Sequence, residues 1–291
     1  MDDKKVTVIA KRLGGLNETF EYEAGSWKLL ALEGVDAPTI ELFHTAKGKG
    51  DGDIVTGSRL NSRLITVKAR TTAGSNYPIQ RNNCLRFHDV RAKYQLAITY
   101  LDKTVLTGPC QISAISYPTE NVHKSPGLTV GFLAADPSFY SREEKKVNFA
   151  QVAPLWHVTR YYDGPQGKLP FGYTKASNNV EIEYNGSDFT GFTLAIRFTK
   201  QCQNLGVKIN GELIKVFPDS QFTEGEKIII NSKEKTASRN NTRFEPKKLR
   251  KIPFEELRLA PGFNRIEIVE GSNVPVEAAI ELAYRERFLS I

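Results

Sequence analysis

Cysteine is scarce: only Cys84, Cys110 and Cys202 occur in 291 residues, far apart and odd in number. Such a set suits neither a disulfide framework nor clustered zinc ligands, so buried, reduced thiols are expected. No run reaches the roughly 18 to 20 apolar residues of a membrane-spanning helix. The opening MDDKKVTVIAKRLGG lacks the apolar core of a secretory signal, which predicts a chain made and kept in a cytoplasm, or released from one. The four histidines, His44, His88, His123 and His157, form no His-x-x-x-His pair, and none is read as having a cysteine at ligand spacing. There is no Gly-x-Ser-x-Gly elbow to anchor serine chemistry. The adjacent pair Glu255-Glu256 would point to opposite faces of a strand and singles out no acid and nucleophile for glycosidic cleavage. Together these absences argue against an enzyme and imply no cofactor.

What is present is alternation. Apolar residues make up 40% of the chain, enough to build real cores, and the length is comfortable for two domains. Phe192, Leu194, Ile196 and Phe198 alternate with Thr193, Ala195, Arg197 and Thr199, the period of a half-buried strand. The same rhythm runs through Ile65, Val67 and Ala69, through Leu128, Val130 and Phe132, and through Val276, Ala278, Ile280, Leu282 and Tyr284. Turn pairs such as Asn210-Gly211, Glu224-Gly225 and Pro261-Gly262 punctuate these runs at the short intervals of sandwiches or barrels. The fold class is therefore mainly β, with two β-sandwich-type domains. Helix is expected only over residues 80–95, which carry Leu85, His88 and Val90, and more weakly over 143–152. The domain boundary is placed at Asp136-Pro137, giving domains 1–137 and 138–291. Whether residues 276–291 complete the second domain or return to the first is left open.

Two stretches invite a chemical reading. The run GKGDGD at residues 48–53 lacks the Gly-Lys-Ser/Thr ending of a phosphate loop and leads into a strand, where no helix N-terminus awaits an anion. A calcium loop would need oxygen ligands after Asp51 and Asp53, where Val55 and Gly57 stand. A structural bend is the favoured reading of Gly50, Asp51 and Gly52. The basic stretch 232–251 carries one aromatic, Phe244, too little for base stacking, and reads as a solvated hairpin. The net charge of +7 fits an acidic partner or a plain soluble protein equally well. Trp156 with Tyr161 and Tyr162 would serve either core packing or a sugar-binding face.

The ordered set of segments resembles the distal tail protein (Dit) family of long-tailed bacteriophages. Gly50, Asp51, Gly52, Arg63, Ile65 and Val67 match that family's Gly-Asp-Gly loop and its Arg followed by an Ile-x-Val strand. Asp136-Pro137 matches its Asp-Pro exit, and Leu259, Pro261, Gly262 and Asn264 its hairpin in the second domain. The resemblance implies a non-catalytic virion protein at the tail tip, synthesised in the bacterial host cytoplasm. Its N-terminal domain would form a ring, commonly a homohexamer, and its C-terminal domain would be a galectin-like jelly-roll sandwich. The partners so implied are copies of itself, the tail tube protein, tape-measure and tail-associated hub or fibre proteins, a receptor-binding protein, and DNA in passage, with no membrane insertion. The alternative is a carbohydrate-binding module that grips host cell-wall sugars through the C-terminal sandwich.

Overall fold

The structure, a computed structural model, describes residues 6–14, 18–72, 77–117, 127–154, 172–176, 178–245, 249–271 and 274–291. It divides into two compact units, one of residues 1–142 with 287–291 and one of residues 143–286.

The first unit is a ten-stranded antiparallel sheet that curls around its own apolar face. Across it run Arg287–Phe288, Phe139–Ser141, Lys103–Thr107, Lys93–Tyr100, Cys110–Ser116, Gly127–Ala134, Arg63–Thr71 and, at one edge, Trp27–Glu33. Thr7–Leu13 pairs with Lys93–Tyr100 and with Thr19–Glu21. Alternation explains the curl: Ile65, Val67, Leu96, Ile98, Leu128, Val130 and Phe132 all turn to one side and are essentially sealed from water. Each such side chain contributes about 1.5 to 3 kcal/mol on burial.

Among the described residues one helix, Tyr77–Phe87, packs Cys84 and Phe87 into this core. It is shorter than the expected 80–95 because Lys93–Tyr100 is a strand, with Tyr94, Leu96 and Ile98 at period two. The buried residues of the helix and its exit are Cys84, Phe87 and His88, whereas Leu85 and Val90 face water. The Tyr94 hydroxyl accepts from the Asp89 N–H and donates to the Phe87 carbonyl, tying off the helix end. Helix was also expected over 143–152. The chain forms two strands there, Lys145–Asn148 and Ala150–Pro154, each drawn into an antiparallel pairing that overrides a weak local preference.

The second unit is a β-sandwich. One sheet is seven-stranded, in the order Lys145–Asn148, Ala278–Tyr284, Thr190–Phe198, Lys227–Asn231, Thr236–Arg239 and Thr242–Arg243, with Arg258–Leu259 on the start of Thr190–Phe198. The other is five-stranded: Asn179–Tyr184, Gly262–Glu270, Cys202–Ile209 and Glu212–Phe222, with Val274–Pro275 added. Phe192, Leu194, Ile196 and Phe198 from the first and Val207, Ile266 and Ile268 from the second share a single core. Asn210-Gly211 makes the two-residue turn its sequence announces, both residues at positive φ. Asn264, buried at the start of its strand, accepts from Ala260 N–H and donates to the Ala260 and Gly262 carbonyls, which holds the Pro-Gly turn closed. All three cysteines are buried and free of disulfides.

Candidate functional site

The feature that the first unit's own core does not account for is a hairpin. Ile40–Ala46 and Asp53–Leu60 pair only with each other, as a separate two-stranded sheet. Gly50, Asp51 and Gly52 form its tip, so the strand after the Gly-Asp-Gly loop finds its partner inside the same chain. Gly50 and Gly52 sit at φ of +104° and +87°, which fixes glycine there for a backbone reason. Asp53 is held by His44, Nδ1 to Oδ2 at 2.8 Å, and Arg59 by Glu41 at 2.7 Å. Among the described residues no group of three or more ligating side chains stands together.

Five large apolar side chains on this arm face water: Ile40, Leu42, Phe43, Ile54 and Val55, from 44% to 61% exposed. Ile40 and Leu42 lie on one face and Phe43 on the other, so folding back against one surface would not cover them all. An isolated two-stranded hairpin is marginal in water, and an exposed apolar surface of this kind marks a contact site.

A second unsatisfied surface lies at the sheet's edge. Among the described residues, Trp27–Glu33 has Arg63–Thr71 on one side and no strand on the other. Its bulge at Leu29 to Ala31 leaves Leu30 58% exposed, while Glu23 accepts the Leu29 N–H at 2.6 Å. Beside this edge runs an open groove of about 900 Å³, lined by Leu29, Leu30, Leu32, Val35, Ile98 and Ile291.

Arg63, Ile65 and Val67 are buried inside the unit. Ile65 and Val67 are core, so any part they take in assembly is indirect. Arg63 donates from Nε to the Pro137 carbonyl at 2.6 Å, from Nη1 to Gly34 at 2.8 Å and to Asp36, and from Nη2 to Leu289 at 2.6 Å. Its guanidinium lies 4.4 Å from the Phe139 ring centroid. The residue therefore pins the root of the arm, the exit segment and the returning C-terminus to one point.

A histidine–cysteine contact escaped the sequence reading. Cys84 stands one helical turn before His88, and the Cys84 Sγ lies 3.4 Å from Nδ1. Nδ1 also lies 2.8 Å from the Cys84 carbonyl, which only accepts, so Nδ1 carries the proton and Nε2 accepts from the Tyr22 hydroxyl at 2.6 Å. Burial pushes the Cys84 thiol up to about 12 and the imidazole down to about 4. Both groups are thus neutral near pH 7, the reverse of an activated thiolate–imidazolium pair. Burial likewise holds Cys110 at about 11 and Cys202 at about 12.

In the basic stretch, Lys235 meets Glu255 at 2.9 Å, and Arg239 grips both oxygens of Glu226 while lying 5.1 Å from the Phe222 ring centroid. Hydrogen bonds from the Thr223 N–H and from Arg239 draw the Glu226 pKa down. These cations are consumed locally. Trp156, Tyr161, Tyr162, His123, His157, Lys247 and Lys248 lie outside the described residues.

No protein-family model matches this sequence, and no curated protein is significantly similar to it. Among solved structures it is similar to the crystal structure of the phage SPP1 Dit protein, presented as a paradigm of the hub adsorption apparatus in phages infecting Gram-positive bacteria. The TM-score is 0.64 at 13% identity, covering 97% of this chain and 99% of that one. More distantly, it is similar to phage P2 baseplate structures in the activated conformation with calcium and with strontium. Both have a TM-score of 0.46, at 9% and 10% identity, covering 98% of this chain and 99% of those. The chain has the fold of the SPP1 Dit hub protein.

Proposed function

We propose that this chain is a structural component of a phage tail, a distal tail protein that joins copies of itself into a ring connecting the tail tube to the host-recognition apparatus. What carries the reading is the unpartnered apolar arm, on a fold shared with the SPP1 hub protein over nearly the whole of both chains. Identical subunits whose two different surfaces meet head to tail form a ring when the rotation between neighbours closes. The first unit offers two that differ: the arm of Ile40–Ala46 and Asp53–Leu60, and the bare edge Trp27–Glu33 with its groove. Seating one on the other would cover exposed apolar side chains and an aggregation-prone strand edge together.

In this reading the ring is a homohexamer with a central channel for DNA, and it contacts the tail tube, tape-measure and hub or fibre proteins. The second unit is a galectin-like sandwich presented toward receptor-binding components. The protein acts in the virion at the tail tip after synthesis in the host cytoplasm, without catalysis.

Negative-stain imaging and mass photometry of the full chain test this. Rings are expected at micromolar concentration, and a triple variant Leu42→Asp, Ile54→Asp, Val55→Asp is expected to be monomeric with unchanged melting, since exposed positions move stability little. Monomers at every concentration, or rings formed equally well by the variant, would overturn the proposal.

A further inference from the structure

The outer face of the seven-stranded sheet holds a groove of about 380 Å³ that the assembly reading does not use. Its floor is made by Ala195 and Ala279, whose strands pair so that Ala195 lies opposite Glu281 and Ala279 opposite Arg197. Small side chains there let a ligand approach the sheet closely. On the next strand Lys227 stands directly opposite Arg197. Two cations facing each other across a sheet destabilise it, and among the described residues neither side chain has a hydrogen-bonded or ion-paired acid. The remaining polar rim is Asn148 and Glu281, adjacent across their own strand pair, with Lys146 at 3.5 Å from Glu281.

The groove thus places two unspent cations, an amide and a carboxylate around a smooth floor. A bare polyanion offers Glu281 no hydrogen-bond donor, and no aromatic face lines the groove to stack a nucleobase. Sugar hydroxyls both donate and accept, so they satisfy Glu281 and Asn148 together, while a carboxylate on the sugar answers Arg197 and Lys227. We infer that this groove binds an acidic oligosaccharide, a chain carrying uronic acid units. The inference does not rest on the ring: a ring that ignores such sugars, or a monomer that binds them, separates the two.

The test is calorimetric titration of the full chain with an oligomer of galacturonic acid, its neutral methyl ester, and polyphosphate. Saturable binding to the acid form is expected, at least tenfold weaker for the ester. The double variant Arg197→Ala, Lys227→Ala should weaken binding at least tenfold. Ala279→Trp, which fills the floor from an exposed position, should abolish it without altering the far-ultraviolet circular dichroism. No binding of the acid form, undiminished binding by both variants, or equal binding of polyphosphate would overturn the assignment.

Discussion

A guanidinium sealed against four carbonyls is costly to remove, because each carbonyl then loses a charge-assisted bond in a place water does not readily reach. Arg63→Ala is therefore expected to destabilise the first unit by about 3 kcal/mol or more, read from the shift in urea midpoint. Arg63→Lys should recover only part of this, since a single ammonium has three donors and no planar fork. A loss under about 1 kcal/mol for the alanine variant would contradict the role drawn from its contacts. The residue stood out in the sequence as an Arg before an Ile-x-Val strand, but its work was invisible there. Its partners lie between 27 and 226 positions away, and no local pattern encodes four carbonyls converging from three segments. His88 and Cys84 were hidden differently: the spacing was in plain view, but burial, which gives the pair its character, is a property of the fold.

Elements were more legible than their partners. The strands read from alternation are strands, except that the last begins at Ala278 and not at Val276, since one wet and one dry face imposes period two. The helix over residues 80–95 was overrun because an alternating stretch beginning at Lys93 adjoined it, and pairing with Thr7–Leu13, Lys103–Thr107 and Cys110–Ser116 decided the matter. The arm was the element least legible as such. Its two strands look like any others, and what sets them apart is that no third strand pairs with them among the described residues. Its root is held by Gly34, at φ +82° with a notional Cβ only 2.0 Å from the Leu64 carbonyl oxygen. Gly34→Ala should cost roughly 2 to 4 kcal/mol. Gly50→Ala at the open tip, with nothing within 4 Å, should cost only the left-handed strain of about 1 kcal/mol. Equal effects in thermal unfolding would contradict the distinction between a packed root and a free tip.

For the whole molecule the relevant fact is that each unit has a core of its own. Acid should therefore act on the first unit through His88. Its folded pKa, about 4, lies below the ordinary value of 6.5, so the unfolded chain takes up a proton that the folded one refuses. That contribution is complete above pH 6.5 and falls by up to about 1.4 kcal/mol per pH unit as pH drops toward 4, roughly 3 kcal/mol in all. Chemical denaturation followed by Trp27 fluorescence in a Trp156→Phe background should show the slope, and His88→Gln should flatten it. An unchanged slope in that variant would assign the acid sensitivity elsewhere.

By itself, the sequence determined the strand-rich class, the turns with their Asn-Gly and Pro-Gly signatures, and the inward residues of the four alternating runs. These depend on a few neighbouring positions and on the solubility of individual side chains. Tertiary structure alone decided which strands became edges and which hairpin was left as a bare arm. It also decided that Arg197 and Lys227 meet across a sheet, and that the chain returns at Arg287 to finish the unit it began. Those outcomes depend on register and topology between distant segments, where a shift of one residue would exchange the buried face for the wet one.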